Sequence, residues 1–264
     1  MDIEVLRKAI ILVLIYFSIF FVIGTVIKNN SIVDMGWGIG FVIIAWFTTW
    51  TSGSRFLPNI VITLMITIWG ARLFVHILKR NLGRPEDFRY ANWRRAWGKW
   101  VIPRAFLQIY MLQGILMLIV ASPIIILNSM QSSTFTWITM LGVIIWITGF
   151  YFESLGDYQL EQFKKNTENK GKILNTGLWR YSRHPNYFGE STMWWGIGLA
   201  AFGSGAGSLS FIGPAVITYM LLFVSGIPML EKSFAKRQGY QSYKAVTSVF
   251  IPRPPKKRKF DIYD

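Results

Sequence analysis

The stretch Asn175-Thr-Gly-Leu-Trp-Arg-Tyr-Ser-Arg-His-Pro-Asn-Tyr-Phe-Gly-Glu-Ser-Thr-Met-Trp-Trp195 begins as a polar, basic, aromatic loop and runs without a break into an apolar segment. One of the chain's two histidines, His184, stands at the junction. Pro185 follows it, a residue suited to the first position of a helix. Asn186 and Glu190 are four apart and so share one face of that helix, just below a membrane surface. A glutamate in that position is costly in lipid and marks a functional site by default.

The rest of the chain says why the segment after Pro185 is read as a span. Of 264 residues, 52% are hydrophobic and only 16% are charged, against roughly 25% charged in soluble proteins. The charges collect in a few blocks with long apolar runs between them, the pattern of a polytopic helical membrane protein. Seven runs qualify: 9–27, 32–52, 57–78, 105–127, 135–155, 187–202 and 211–230. The first is too long for the apolar core of a signal peptide and reads as a retained span. The expected fold is therefore all-α, with about seven transmembrane helices in a single integral membrane domain, 1–264, closing in a basic tail from residue 231. No polar connection is long enough for a separate soluble domain.

The formal net charge of +15 would suggest nucleic acid in a soluble chain. Here the basic residues lie in loops beside spans, so headgroup contact and orientation account for them and no nucleic-acid partner is expected. The loop after the third span (Lys79 to Arg104), the loop after the fifth, and the tail carry the positive charge, Lys256 through Lys259 included; the connections after spans four and six carry none. This places those three segments and the C-terminus in the cytoplasm of a cell-membrane protein with its N-terminus outside. The absence of cysteine excludes disulfides, thiol catalysis and Cys-ligated zinc. No metal site and no obligate protein partner are indicated.

Ionisable groups at span ends carry the information: Asp34, Arg72, His76, Glu153, Asp157, Glu190 and Glu231. All are expected on one membrane face, where a site could take an anionic cofactor from the cytosol and a lipid-like small molecule from the bilayer. Glu153, Asp157 and Lys164 are spaced to share one side of a helix continuing past the membrane. Carboxylates suit ribose hydroxyls and amide or amine donors, while Lys164, Arg180 and Arg183 suit phosphates. The helix opening at Pro185 offers backbone N–H groups to an anion. No Rossmann glycine fingerprint and no P-loop are present, so any nucleotide would have to sit in a membrane-embedded pocket.

Gly177-Leu-Trp-Arg-Tyr-Ser-Arg-His-Pro-Asn-Tyr-Phe-Gly-Glu190 closely resembles the signature of bacterial membrane proteins related to the steroid 5-alpha-reductase family, many of which carry only a domain-of-unknown-function label. Asn81-Leu-Gly-Arg-Pro85, Pro85-Glu-Asp-Phe-Arg-Tyr90, Val33-Asp-Met-Gly-Trp37, Gly156-Asp157-Tyr-Gln-Leu and the tail Gly239-Tyr-Gln-Ser-Tyr243 through Ile251-Pro252 extend the resemblance over most of the chain. The resemblance implies a seven-span fold holding NADPH, with Asn81, Arg84, Asp157, Lys164, Asn186 and Glu190 on the cofactor; Arg180, Arg183, His184, Tyr187 and Glu231 join them from the basic loop and tail. It also implies reduction of a C=C bond in an enone-type lipid. The reductases polarise the substrate ketone with a glutamate and a tyrosine. Trp69 or Gly70 falls where the tyrosine belongs, so Asp34 with Arg72 or His76 are the catalytic candidates.

Isoprenylcysteine and phospholipid methyltransferases also resemble this chain, at Arg183-His184-Pro185-x-Tyr187-x-Gly189 and in the tail residues Glu231, Tyr240 and Tyr243. That resemblance implies S-adenosylmethionine instead. A third reading, a non-catalytic lipid-binding or transport protein, predicts no nucleotide binding at all.

Overall fold

The computed structural model describes residues 2–235, 237 and 239–256. Lys236 and the basic run Lys257 to Lys259 lie outside the described residues. The described chain is helical, with one isolated backbone bridge between Ser182 and Ser248. In order the helices are α1 (Ile3–Val26), α2 (Ile32–Thr51), α3 (Leu57–Asn81), α4 (Phe88–Trp97), α5 (Val101–Ala105), α6 (Leu112–Val120), α7 (Ser122–Asn128), α8 (Trp137–Lys165), α9 (Pro185–Ala201), α10 (Ile212–Tyr219), α11 (Ile227–Phe234) and α12 (Tyr240–Val246).

Six helical stretches are long and apolar enough to cross a membrane: 3–26, 32–51, 57–81, 88–120, 137–165 and 208–234. The seventh expected span, 187–202, is not among them: α9 has 17 residues, and its π-type prolongation at Phe202–Ala206 contains the non-helical Gly205. The protein is thus an all-α, multi-pass membrane protein. Three sequence boundaries move. α1 starts six residues before the expected span because Asp2 caps it, its carboxylate accepting from Glu4 N at 2.8 Å. Arg7 and Lys8 are therefore inside the helix, with Arg7 paired to Glu4. The expected basic loop from Lys79 to Arg104 is largely helical, because α4 occupies its middle, capped by Asp87. The fourth span breaks before Pro123, α6 ending at Val120 and α7 restarting at Ser122, since proline has no N–H to continue the ladder.

The chain folds as two compact units. The first is built from the described residues within Met1–Leu141 and from Ile197–Gly213. On α1 only Val5, Ala9, Val13, Phe17 and Gly24 are buried, while Ile11, Leu14, Ile15, Ile19, Val22 and Ile23 are exposed. An apolar face of that extent suits lipid rather than water. α2 and α3 cross where Gly38 meets Gly70: a Cβ on Gly38 would stand 2.5 Å from the Gly70 carbonyl oxygen. Small residues let membrane helices approach this closely. At the Thr48 end of α2, Asn128 Nδ2 donates to Thr48 and Thr49 at 2.8 and 3.0 Å, and Asn59 Nδ2 donates to Asn128 at 2.8 Å. This buried network ties α2, α3 and α7 together with its amides satisfied, as a low-dielectric interior requires.

The second unit is Gly142–Gly196 with the described part of Pro214–Asp264. Its frame is an antiparallel pair, α8 on α9. Glycines recur every seven residues on both helices, Gly142, Gly149 and Gly156 against Gly189 and Gly196. A Cβ on Gly149 would lie 2.6 Å from the Gly189 carbonyl, and one on Gly196 would lie 2.7 Å from the Gly142 carbonyl. This seam brings the backbones together and sets the register of everything that follows on α8 and precedes α9.

Candidate functional site

Within the second unit the seam delivers Gly156 against the start of α9, where a Cβ would stand 3.2 Å from Asn186 N. The next residue, Asp157, then accepts from Asn186 Nδ2 at 3.0 Å. Asn186 Oδ1 is buried with no donor among the described residues. Glu190 is half-buried one turn further along the same face, and Glu153 is the fully buried carboxylate of the helix pair.

The loop before α9 is held from two sides. Trp179 Nε1 donates to Gly156 O at 3.1 Å and Leu178 N donates to Gln159 Oε1 at 3.0 Å, which fastens the loop to α8. From the other side, Arg183 N donates to Ser248 O at 2.8 Å, Ser182 Oγ to Phe250 O at 2.7 Å and Arg253 N to Tyr181 O at 3.0 Å. The segment after α12 thus straps the loop in place. Gly177, at φ +58°, makes the sharp entry into the loop that L side chains rarely adopt.

So held, Arg183 and His184 are almost wholly buried, 8% and 1% exposed. Both face Glu231 from α11: Arg183 Nε stands 3.3 Å and His184 Nε2 3.2 Å from Glu231 Oε1, with Lys244 Nζ 3.4 Å from Oε2. Burial, with Arg183 beside it, pushes the His184 imidazole below its ordinary value despite the carboxylate. The ring is therefore neutral near pH 7, with Nε2–H donating to Glu231 and a bare lone pair on Nδ1. Tyr187 stacks on it at 5.7 Å. Burial pushes the Tyr240 and Tyr243 phenols above their ordinary range, so both stay protonated.

These groups border a cavity of about 340 Å³, inside the ~300–1,000 Å³ usual for small-molecule sites. Its walls include Lys164, Lys170, Lys172 and Arg237, with Trp179, Phe234, Tyr240 and Tyr243 as aromatic faces. Arg183 and His184 border this cavity, and their buried Nη1 and Nδ1 atoms have no hydrogen-bond partner among the described residues. Unsatisfied buried nitrogens in one wall are expensive, and a ligand offering an anionic acceptor to Arg183 Nη1 and an N–H or O–H to His184 Nδ1 would satisfy both of these. Glu231 is not in the wall; it stands behind the pair and orients it. Arg180 borders a second, more open cavity of about 780 Å³ with Lys172, Ser242 and Thr247.

Within the first unit, Asp34 opens α2 and accepts from Tyr90 Oη at 2.6 Å and from Arg89 Nη2 at 2.9 Å. Gln113 Nε2 donates to the Tyr90 hydroxyl at 3.4 Å. Tyr90 is only 4% exposed. Partial burial works against the Asp87 carboxylate, yet the side-chain and backbone hydrogen bonds from Arg89 win and hold it below its usual range. Arg72 and His76, one turn apart on α3, are half-buried. Asn81 ends α3 half-buried and accepts from Arg80 Nε at 3.3 Å, and Arg84 is exposed. The partners of Asp34, Tyr90 and Arg89, were not among the expected site residues. They stood in the motif ending at Tyr90, whose α4 reading was hidden under its basic charge.

A model of the family described as "Protein of unknown function (DUF1295)" matches residues 20–247. An uncharacterized protein of Schizosaccharomyces pombe is 26% identical over 272 residues, covering 88% of this chain and 77% of that protein. The 3-oxo-5-alpha-steroid 4-dehydrogenase 1 of Homo sapiens is 28% identical over 120 residues, 44% of this chain and 43% of that protein. Its Mus musculus counterpart is 32% identical over 120 residues, 44% of each chain. The match thus spans less than half the length of these steroid dehydrogenases. No solved structure matches. The chain belongs to the DUF1295 family of membrane proteins, distant relatives of the steroid 5-alpha-reductases.

Proposed function

We propose that this protein is a membrane-embedded, NADPH-dependent reductase of the C=C bond in an enone-type lipid, steroid- or isoprenoid-like. The observation that carries the reading is the pair of buried, unpartnered nitrogens, Arg183 Nη1 and His184 Nδ1, in the wall of a cationic and aromatic cavity. The residues present fit a dinucleotide. Arg183, Lys164, Lys170, Lys172 and Arg237 offer charge to phosphates. His184 Nδ1 accepts from a ribose hydroxyl or an exocyclic amine, and Trp179 or Tyr240 offers a face to a base. Asn186 Oδ1 is left to accept from an amide, with Asp157, Glu190 and Tyr187 near it on the same helix pair. The charge asymmetry of the loops would put this pocket on the cytoplasmic side, where the cofactor is found. Similarity to dehydrogenases named for 3-oxo steroids supports the reaction class.

When bound, the nicotinamide supplies hydride to the β-carbon. Taken by itself, the first unit offers groups that could polarise a carbonyl and hold a proton. The Tyr90 hydroxyl donates to Asp34, which also pairs with Arg89, so Asp34 holds the Tyr90 proton in place until a carbonyl oxygen competes for it. Arg72 and His76 remain candidates for the same end of the substrate. Mass spectrometry of nucleotide released from the gently purified protein tests the assignment: co-purifying NADP(H), together with a raised melting temperature on adding NADPH, supports it.

A second reading is favoured by one observation: Arg183, His184, Glu231, Tyr240 and Tyr243, the residues resembling the methyltransferases, meet in space. Stabilisation by S-adenosylmethionine with none by NADPH would replace the reductase with a methyltransferase. Stabilisation by neither, with the pair Asn186→Ala and Glu190→Gln silent, would favour a lipid-binding or transport protein.

A further inference from the structure

The helical run 88–120 contains 33 residues, which at ~1.5 Å per residue is about 50 Å, well beyond the ~30 Å hydrocarbon core. It is broken at Gly98, whose φ of +50° and ψ of −121° end α4. The stretch from Val101 to Val120 is by itself long enough to span. α4 therefore lies outside the hydrocarbon, between the end of α3 and the start of α5.

Its two faces differ. One is turned into the first unit: Tyr90 on Asp34, and Arg94 donating to both Glu86 oxygens at 3.0 and 2.9 Å. Glu86 Oε1 also accepts from Asn30 N at 2.7 Å. The other face exposes Phe88, Asn92, Arg95 and Ala96. Trp93 stacks on Trp97 at 5.8 Å, and Phe88, Trp93 and Trp100 are 70%, 43% and 58% exposed. Apolar rings beside water-facing cations are the composition of a headgroup-level anchor.

The charges do not balance on that face. Every carboxylate near α4 is taken from within: Asp34 and Asp87 by Arg89, Glu86 by Arg94. Lys79, Arg80, Arg84, Arg95, Lys99 and Arg104 belong to no ion pair among the described residues and are exposed. Lys79 and Arg80 close α3, and Lys99 and Arg104 flank the start of α5, so the six cations surround α4 along the chain.

We propose that α4 and this ring form a binding surface for anionic phospholipid headgroups, the phosphate meeting Arg95, Lys99 and Arg104 while Trp93 and Trp100 sit among the acyl-chain ends. The occupant is a lipid of the surrounding bilayer rather than a soluble phosphate, because the aromatic side chains beside the cations need apolar partners. Arg95, Lys99 and Arg104, which carry the test, are not among the residues assigned to the cofactor.

The test is native mass spectrometry of the full chain released from nanodiscs of phosphatidylcholine with or without phosphatidylglycerol. Retention of phosphatidylglycerol over phosphatidylcholine is expected. It should fall about fivefold for each charge removed in R95A, K99A and R104A, and survive the charge-keeping swaps R95K and K99R. Arg55, exposed between α2 and α3 at their opposite ends, is the control: R55A should retain lipid normally. Equal retention of the two lipids by the unaltered protein overturns the proposal. So does an unchanged preference in the folded triple variant. If the triple variant does not fold, the salt dependence of the unaltered protein decides: a preference insensitive to salt overturns it, and one lost on raising salt supports it. Inorganic phosphate displacing the lipid at millimolar levels would assign the ring to a soluble anion and overturn the lipid.

Discussion

At the scale of single residues, the chemistry rests on protons held in defined places. His184 is buried and neutral, so folding disfavours its protonated form. Its contribution is fully favourable above the unfolded value of about 6.5 and is lost as pH falls through that value, because the unfolded chain then binds the proton more readily. The melting temperature should therefore drop between pH 7.5 and 5.5, and His184→Gln, which keeps a donor for Glu231, should flatten that slope; equal slopes in the two proteins would exclude His184 as its source. Tyr90→Phe removes the proton facing Asp34 and should lower turnover by about a hundredfold or more with NADPH binding unchanged. An undiminished rate in both Tyr90→Phe and Asp34→Asn would remove the pair from the reaction. Asp34 itself was legible from sequence, as a carboxylate at a span start. Tyr90 was not, because its partnership spans 56 positions and no local periodicity encodes such a meeting.

At the scale of elements, the α8–α9 pair positions Asp157 and Asn186, and it does so through glycine. A Cβ on Gly189 would strike the Glu153 backbone nitrogen, and backbone cannot step aside as a side-chain tip can. Gly189→Leu should destabilise the fold by about 1–3 kcal/mol or more and abolish ligand-induced stabilisation, measured by thermal melting in detergent. A Gly189→Leu protein that melts and binds normally would show that the close approach is dispensable. The spans themselves were readable, because apolar runs of membrane length leave little choice. The seven-residue glycine spacing stands in the sequence too, but glycines in a span say that something approaches closely, not which helix does. α4 does not show as a helix in the sequence because its charges outweigh its amphipathic spacing, and what those charges grip is invisible without the fold.

At the scale of the whole molecule, ligand binding and stability are linked. A cofactor that binds only the folded state at 100 times its Kd should add about 2.7 kcal/mol of stability. NADPH should therefore raise the melting temperature of the full chain, and Arg183→Ala, which removes one unpartnered buried nitrogen, should reduce that rise by more than it lowers the melting temperature of the free protein. A loss confined to the free protein would make Arg183 structural only. That the chain is helical and multi-pass, and where its charge accumulates, follow from composition. Which residues line the cavity does not, since they come from α8, the loop after it, α11 and α12, stretches joined only by tertiary packing.

The strap from Ser248 to Arg253 has a consequence for order of assembly. Tyr181, Ser182 and Arg183 take their backbone partners from residues made long after them. During synthesis the helices of the second unit can enter the bilayer while the Arg183–His184 loop still lacks half its supports. The pocket would thus be the last feature to mature, and a chain released before Ser248 would be inserted yet lack the supports of the proposed ligand pocket. Membrane insertion and binding competence are separate events in the life of this chain, divided by a few residues near its final helix.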